Sequence, residues 1–417
     1  MADNKPDRPG TEAPKHIWVM VRDFEKLLAA QTVAFLGIEL STVAIPLIAV
    51  TLFQATPSQV GFLVAAQRLP YIIFGLIIGV WIDRISRHSV LIFSNLGRAI
   101  VMLTMTIGLF LGWFQLTHFY VVVFVWGTFN VFFGVAYQAY LPALVDATEI
   151  LSANGRLETS RTAAQVFAPS MAGVFLQVFS AWVTVAVDAM TGVMAAVFLF
   201  FIKHAERIKR ASQRPVLSEL REGFALVIGD RPLLAIAGFT GTYNFFYAAI
   251  SAMYVVYFTR DLHMSPGNFG VSLGIGNAGA LIGAAMAAAL SRRLGVKAAM
   301  IGAAVVSALG FVPILFATPL FAFAIAVLSR ALVSFALPVF NINSRAIRQL
   351  AAPDYLQARA VATMRFLTWG PIPVGSAAGG LVAAAIGVRS MLWVAVFGAA
   401  ASALWFRGVP FDLDPSR

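Results

Sequence analysis

The stretch Gly79-Val80-Trp81-Ile82-Asp83-Arg84-Ile85-Ser86-Arg87-His88 joins two long apolar runs, at about 59–82 and 89–112. At ~1.5 Å of rise per residue, each run is long enough as a helix to cross a hydrocarbon layer of ~30 Å. We therefore expect the charged residues between them to form a turn at one membrane face. This segment, residues 79–88, is called the charged turn below, and the end of the molecule where it lies is the turn side.

The composition of the whole chain points to the same class of protein. Hydrophobic residues make up 59% of the sequence and charged residues 12%, against roughly a quarter charged in soluble domains. Because such unbroken apolar runs span a membrane only as helices, we predict an all-α membrane protein with twelve transmembrane helices. The predicted spans are residues 25–52, 59–82, 89–112, 118–144, 156–180, 183–203, 232–258, 267–290, 297–316, 320–343, 362–386 and 388–406.

Positive charges are distributed unevenly between the two predicted faces. Tails and loops on the turn side hold 25 of the 30 Lys and Arg residues, whereas the opposite face, the far side, holds only Arg260 and Arg389. Such residues favour the cytoplasmic side, so we predict a multi-pass protein of the cell (inner) membrane with both termini in the cytoplasm. Anionic lipid then accounts for the net charge of +11 without any nucleic acid.

The longest predicted connection on the turn side divides the chain nearly in half. Within it, Leu217, Leu220 and Phe224 recur at helical spacing, which indicates either a short amphipathic helix on the membrane surface or a polar linker with little helicity. The predicted organisation is a cytoplasmic tail at 1–22, a six-helix bundle at 23–203, a linker with the amphipathic helix at 204–230, a second six-helix bundle at 231–406 and a cytoplasmic tail at 407–417.

The two halves of the sequence repeat one another. Arg161 precedes Pro169 by eight residues in the fifth span, and Arg365 precedes Pro373 by eight in the eleventh, at an offset of 204 residues. Two further pairs of segments have similar offsets. Offsets near half the chain length indicate a duplicated six-helix unit, so the two predicted bundles are pseudo-symmetric.

The charged turn reads Gly79-x-x-x-Asp83-Arg84-x-Ser86-Arg87. It resembles the loop signature between helices 2 and 3 of the major facilitator superfamily, with Ser86 in place of a glycine. Within that superfamily, the chain is similar to the drug and siderophore exporter branch, which includes enterobactin exporters and macrolide efflux pumps. The other segments that carry this resemblance are Ala66–Pro70, Val187–Ala189, Leu217–Gly223 and Arg365–Pro373. The resemblance implies the major facilitator fold and transport by alternating access.

Two departures from the family pattern concern the coupling ion. The antiporter signature of helix 5, Gly-x-x-x-Gly-Pro-x-x-Gly-Gly, is reduced here to Ala164-x-x-x-Ala168-Pro169-Ser170-Met171-Ala172-Gly173. Asn130 stands where many proton-coupled drug pumps have an arginine in helix 4. The fold expected from the resemblance is unaffected.

The resemblance also implies a gate. The loop carboxylate, Asp83, would face the start of helix 11 and be attracted by its partial positive charge and by Arg365. The predicted gating loop comprises Gly79, Asp83, Arg84, Arg87 and Arg365. Arg84 and Arg87 would also anchor the turn on its side of the membrane.

Prolines would bend helices 5 and 11, and the predicted hinge consists of Arg161, Pro169, Gly173, Pro371, Pro373 and Gly375.

Charged side chains inside apolar spans are further candidates, because each costs on the order of 2.5–3.5 kcal/mol unless it is paired or hydrated. The proton-coupling candidates are Glu39, Arg68 and Asp188. Glu39, near the middle of the first span, would carry a proton or cation, or form a structural ion pair with Arg68. For Asp188, near the far end of the sixth span, a structural role is favoured. Arg98 would brace its bundle or neutralise an anionic substrate.

Polar and aromatic residues on helices 4, 7 and 10 predict the lining of a substrate cavity. The candidates are Asn130, Tyr137, Asn244, Tyr247, Arg330 and Asn341. A mixed aromatic and amide lining suits bulky amphiphilic compounds. Arg330, near mid-depth of the tenth span, is the candidate contact for an anionic substrate.

These features predict a secondary transporter that exports a small amphiphilic drug, antibiotic or siderophore in exchange for protons. An importer or facilitator of a polar metabolite stays open, since a fold does not fix a substrate, as does a transport-dead membrane sensor. The predicted partners are the substrate, protons and the lipid bilayer, and the chain is predicted to be a monomer. With no Cys, scattered His and no phosphate-binding loop, no metal, cofactor or enzymatic activity is predicted.

Overall fold

The computed structural model describes residues 15–82, 85–146, 148–203, 216–351 and 357–409. No β-strand occurs within these ranges, and the predicted all-α class is confirmed for them. Asp83, Arg84 and most of the two predicted tails lie outside the described residues. The helices are α1 (Lys15–Thr51), α2 (Pro57–Ile82), α3 (Arg87–Phe110), α4 (Leu116–Leu144), α5 (Ile150–Val178), α6 (Ala181–Phe200), α7 (Val216–Gly229), α8 (Arg231–Val256), α9 (Pro266–Asn277), α10 (Gly279–Leu294), α11 (Val296–Leu309), α12 (Val312–Leu315), α13 (Ala322–Ala351), α14 (Gln357–Trp369), α15 (Pro371–Ile386) and α16 (Val388–Ala401).

Ten segments of the described residues are long and apolar enough to cross a membrane. They contain α1, α3, α4, α6, α8, α9 with α10, α11 with α12, α13, α14 with α15, and α16. The two predicted spans not among them correspond to α2 and α5, which have 26 and 29 residues. The first half of α5 carries Arg156, Glu158 and Arg161, and these charges lower its apolarity.

Helices before and after α7 pack mainly within their own group. In the first half of the chain, α1 lies against α5 and α6, α2 against α4, and α3 against α4 and α6. In the second half, α13 lies against α9, α10 and α11, while α8 lies against α15 and α16. Below, the first half means α1–α6 and the second half means α8–α16.

Two helix pairs hold the halves together, α5 with α9 and α2 with α15. The backbones of Gly173 and Gly270 approach so closely that a Cβ on either would collide with the other, and the same is true of Gly61 and Gly380. Small residues permit such contact between helices. All four glycines lie near the helix ends away from the charged turn, so the halves are tightly joined on the far side.

Several predicted spans are interrupted, and two of these breaks have a clear physical cause. The span at 267–290 is divided into α9 and α10 at Ala278, where Gly276 and Gly279 bring the chain against α13. The span at 362–386 is divided at Gly370, because Pro371 has no N–H to continue the helical hydrogen bonds. Pro169, by contrast, lies within a continuous α5.

A short helix, α7, follows the part of the linker that lies outside the described residues, 204–215. It packs against α14 and α8. The ring centroids of Phe224 and Phe366 are 6.2 Å apart, and Val227 is buried while Ile228 is exposed. The linker is therefore attached to the helix that carries Arg365, and its location on the membrane surface stays a prediction.

Candidate functional site

Glu39 lies near the middle of the segment Asp23–Thr51 and is partly exposed. Its Oε1 atom accepts a hydrogen bond from Nε2 of Gln165 in α5 at 3.1 Å. Tyr71 and Arg161 lie within electrostatic range of the carboxylate. Among the described residues Glu39 forms no ion pair, so the pair with Arg68 that the sequence leaves open is not present.

Arg330, in α13, is the charged group of the second half. Its Nε atom donates to Oδ1 of Asn277 at 2.5 Å, and its Nη1 atom donates to the hydroxyl oxygen of Tyr247 at 2.9 Å. Ser334 also donates to Oδ1 of Asn277, at 3.3 Å. All these partners are neutral, and within the described ranges no carboxylate lies at ion-pair distance from the guanidinium. Its positive charge is therefore oriented but not neutralised.

One further hydrogen bond connects these two charged groups. The Nδ2 atom of Asn277, at the end of α9, donates to the backbone carbonyl oxygen of Gln165 at 2.6 Å. A continuous series of hydrogen bonds thus runs through Glu39, Gln165, Asn277, Arg330 and Tyr247, which we call the polar bridge. It crosses from the first half to the second through α5 and α9, the same helices that meet at the far-side glycines.

The polar bridge keeps a carboxylate and a guanidinium apart by two amides. An amide offers both donors and acceptors, so Gln165 and Asn277 orient the two charged groups without neutralising either one. Charges inside a membrane protein that lack an ionic partner are costly, and they mark the pathways of ions and substrates. Glu39 and Arg330 are therefore the candidates in the polar bridge for binding a proton and a substrate group, respectively.

Asp188 belongs to a different cluster, inside the first half. Its Oδ1 atom forms an ion pair with Nε of Arg98 at 3.3 Å, and its Oδ2 atom accepts a hydrogen bond from Nε1 of Trp126 at 3.0 Å. The Asp188 and Arg98 side chains are 0% and 1% exposed. The pair connects α3 and α6, and Trp126 adds α4. This closed geometry supports a structural role for both charges.

The remaining cavity candidates are dispersed. Asn130 is buried in the first half and donates to the carbonyl oxygen of Trp126 at 3.0 Å, on the same helix. Tyr137 packs edge-on against Phe35, with ring centroids 5.7 Å apart. Asn244 donates to the carbonyl oxygen of Thr368 at 2.7 Å, which ties α8 to α14. Asn341 is exposed in α13. Of the six candidates, the polar bridge includes Tyr247 and Arg330.

The structure describes only part of the predicted gating loop. Asp83 and Arg84 lie outside the described residues, Gly79 lies near the end of α2, and Arg87 is the first residue of α3. The latch between Asp83 and helix 11 therefore stays a prediction.

Arg365, the predicted partner of the latch, lies in α14 and contacts an aromatic ring. Its guanidinium is 5.6 Å from the ring centroid of Trp369. The same ring meets Tyr71 of α2 edge-on at 5.8 Å. This contact joins the two halves at a point along α2 nearer the charged turn than the glycine pair at Gly61.

The predicted hinge residues lie on α5 and on α15, the helices through which the halves meet. Arg161 pairs with Glu158 one turn earlier at 2.6 Å, and Gly375 lies against the backbone carbonyl of Phe245 in α8. The other members are Pro169 and Gly173 in α5, and Pro371 and Pro373 at the start of α15.

Sequence analysis missed Gln165 and Asn277, the two amides of the polar bridge. Both lie in apolar spans, where an amide side chain needs a partner for the same reason as a charge. Asn277 also stands between Gly276 and Gly279, a combination typical of a helix interruption. These signals identify the residues as candidates, but they do not indicate which groups they join.

A comparison with protein-family models matches residues 18–412 to the transmembrane secretion effectors, a family of the major facilitator superfamily. The match covers almost the whole chain. The protein belongs to this family. The resemblance to the major facilitator superfamily is therefore confirmed, and the protein is a multi-span membrane protein of that superfamily.

Relatives of this family member include named efflux proteins. The uncharacterized MFS-type transporter YfiS of Bacillus subtilis is 24% identical over 265 residues, which is 62% of this chain and 62% of that protein. Macrolide efflux protein A of Enterococcus faecalis is 24% identical over 189 residues, 45% of this chain and 58% of that protein. The chain thus aligns with less than two thirds of the length of either relative.

Solved structures share the fold of this family member over nearly its full length. A mutant form of the nucleoside transporter NupG has a TM-score of 0.76 at 14% identity, covering 93% of this chain and 98% of that one. A bacterial homologue of the iron transporter ferroportin, in an inward-facing state, has a TM-score of 0.70 at 16% identity, covering 93% and 98%. At these identities, the similarity concerns the fold alone.

Proposed function

We propose that this protein is a secondary active transporter that exports a small amphiphilic organic compound, such as a drug, an antibiotic or a siderophore, in exchange for protons. The ten apolar segments together with α2 and α5 would give twelve crossings in two pseudo-symmetric six-helix bundles, at 23–203 and 231–406. Both termini would lie in the cytoplasm, with the chain acting as a monomer in the inner membrane. Sequence similarity to macrolide efflux protein A supports export as the direction of transport.

The observation that carries the proposal is the polar bridge. Glu39 has only a neutral partner, Gln165, and part of its side chain is exposed, so a proton can reach it and leave it without breaking an ion pair. Asp188, by contrast, is enclosed with Arg98. We therefore assign proton exchange to Glu39 rather than to Asp188.

Alternating access would use the contacts between the halves. With the halves joined on the far side at Gly173 and Gly270, substrate would enter from the turn side, which we infer to be cytoplasmic. Rocking the halves the other way requires α5 and α9 to separate, and this separation breaks the hydrogen bond between Asn277 and Gln165. Changes at either charged end of the polar bridge are thereby linked to the conformational step.

The experiment compares Glu39→Gln with wild type in inverted membrane vesicles with an acid interior. A macrolide, a catecholate siderophore and a nucleoside serve as the substrates. Wild type is expected to accumulate at least one of the first two only when the proton gradient is present. Glu39→Gln should lose this dependence, because an amide cannot exchange a proton in this range.

The matched control is Glu25→Gln, which removes a carboxylate that is 49% exposed in a pair with Arg156. It should retain gradient-driven accumulation. Unchanged gradient dependence in Glu39→Gln would rule out its role as proton carrier. Accumulation of only the nucleoside, without regard to the gradient, would instead favour a facilitator or importer, and no accumulation of any compound by folded protein would favour a sensor.

A further inference from the structure

Two arginines of the predicted spans, Arg98 and Arg330, have different surroundings. Arg98 in α3 is 1% exposed and forms an ion pair with Asp188. Arg330 in α13 is partly exposed and, among the described residues, has no acidic partner. A structural arginine needs the first arrangement, because an enclosed charge must be compensated. The second arrangement leaves a positive charge available to a ligand.

Three of the five N–H groups of Arg330 remain available. A guanidinium has five donors in a rigid plane. One, on Nε, is used by Asn277, and one, on Nη1, is used by Tyr247. In the described residues the second N–H of Nη1 and both N–H groups of Nη2 have no acceptor. A carboxylate or phosphate accepts two parallel hydrogen bonds from adjacent nitrogens of a guanidinium, and Nη1 and Nη2 of Arg330 each keep a donor for such a pair.

The charge of Glu39 does not compensate Arg330. Glu39 lies beyond two amides in the polar bridge. Glu39 lies within electrostatic range of Arg161 and Tyr71, and Tyr71 is also within range of Arg68. Arg68 is partly exposed and lacks an acidic partner among the described residues. The surroundings of the polar bridge therefore carry more positive than negative charge, and a cation would be repelled near Arg330.

An aromatic surface lies beside the available N–H groups. The ring of Tyr247, whose hydroxyl holds Nη1, is stacked on Tyr243 with centroids 5.9 Å apart and meets Phe311 at the same distance. Tyr243 and Phe311 are buried, whereas Tyr247 is partly exposed, so the ring of Tyr247 is the one that can contact the apolar body of a ligand whose charged end reaches the guanidinium. The ligand chemistry indicated is an acidic group on an apolar or aromatic body.

We propose that Arg330, positioned by Asn277 and Tyr247, is the anchoring residue of a subsite for the acidic group of an amphiphilic organic anion. This inference rests on the proposed transport function for its biological meaning, but binding tests it independently of transport. It narrows the substrates of the exporter to compounds with a carboxylate, phosphate or similarly acidic group.

The test uses three fluorescent probes with one apolar body, namely pyrenebutyrate, pyrenebutyramide and a pyrenebutyl-trimethylammonium salt. Their equilibrium binding to the purified full-length protein in lipid nanodiscs is measured by fluorescence. The carboxylate should bind about 10- to 100-fold more tightly than the carboxamide, the range expected for hydrogen bonds to charged groups. The ammonium probe should bind most weakly.

Arg330→Gln should remove this preference, so that the carboxylate and the carboxamide bind with similar affinity; a circular dichroism spectrum equal to that of wild type reports that the variant is folded. Arg330→Lys should retain part of the preference, because it keeps the charge but loses the planar pair of donors. Arg389→Gln is the control, since that arginine donates to the carbonyl of Leu315 outside the polar bridge. It should bind all three probes as wild type does.

Equal affinities for carboxylate and carboxamide in wild type would overturn the proposal, and so would a preference that survives in Arg330→Gln. The outcome is distinguishable from failure of the transport proposal. A preference that depends on Arg330, in a protein with no gradient-driven accumulation, would support the subsite and contradict the export proposal. Gradient-driven accumulation of neutral or cationic compounds alone, without such a preference, would support the export proposal and contradict the subsite.

Discussion

The ion pair of Asp188 and Arg98 permits a quantitative prediction, because the same half of the chain contains an exposed pair for comparison. Both side chains of the buried pair are at most 1% exposed. Removing one partner of such a pair leaves an uncompensated buried charge and costs about 3–5 kcal/mol. The amide of Asp188→Asn still offers an acceptor to Trp126, so the loss is predicted to come mainly from Arg98.

The exposed pair joins Glu25 and Arg156 through two hydrogen bonds of 2.8 and 2.9 Å. Its side chains are 49% and 47% exposed, and solvent reduces the value of such a pair to about 0–1 kcal/mol. Glu25→Gln should therefore change the free energy of unfolding by about 1 kcal/mol or less. The predicted difference between the two amide variants is several-fold, although the exposed pair has the better hydrogen-bond geometry.

The assay is reversible unfolding of the purified protein in mixed micelles, with the free energy obtained from denaturant titrations. A double variant, Arg98→Leu with Asp188→Leu, should be more stable than Asp188→Asn, because it removes both charges. If Asp188→Asn were as stable as wild type and yet lost gradient-driven transport, the structural assignment would be refuted. Asp188 would then be a proton-coupling residue.

Two further predictions concern movement of the halves. Gly173→Leu forces a side chain into Gly270 and should lower turnover by roughly tenfold or more, equivalent to about 1.4 kcal/mol in the barrier. A Cβ at Gly75 meets no atom within 4 Å, so the control Gly75→Leu should be tolerated. Equal rates of the two variants in reconstituted vesicles would exclude a role for the glycine contact. Asp83→Asn should lower turnover without lowering the amount of protein in the membrane, because a neutral amide is attracted to Arg365 less strongly than a carboxylate is. Transport by this variant at the wild-type rate would exclude the latch.

The limits of the apolar segments were predictable from sequence because hydropathy is a local property. The predicted span 118–144 corresponds to Leu116–Leu144, and 388–406 corresponds to α16 and the short helix that follows it, ending at Phe406. Interruptions were less predictable. The break at Ala278 arises where Gly276 and Gly279 allow contact with α13, and sequence alone does not place that neighbour.

The partners of the polar groups could not be predicted. Gln165 is 126 positions from Glu39 and 112 from Asn277 in sequence, and the helices that bring them together are chosen by packing of the whole molecule. The sequence therefore identifies Glu39 and Arg330 as charges that need an explanation, but it cannot tell whether either one is paired with an opposite charge. The same limit applies to Asp188. Its enclosure by Arg98 and Trp126, which makes its surroundings different from those of Glu39, is visible only in the structure.

The position of the polar bridge gives a physical reason for coupling between the two charges. Neither Gln165 nor Asn277 can carry charge from Glu39 to Arg330, but both must move when α5 and α9 separate. A proton at Glu39 weakens the hydrogen bond from Gln165, because a neutral carboxyl group accepts less strongly than a carboxylate. An anion at Arg330 would bind the N–H groups that Asn277 and Tyr247 leave available. Of the hydrogen bonds in the polar bridge, the one from Asn277 to Gln165 crosses between the halves. Exchange of a substrate for a proton would require the two ligands to favour opposite movements at this crossing. The two sites would then be linked through one conformational equilibrium rather than through direct contact.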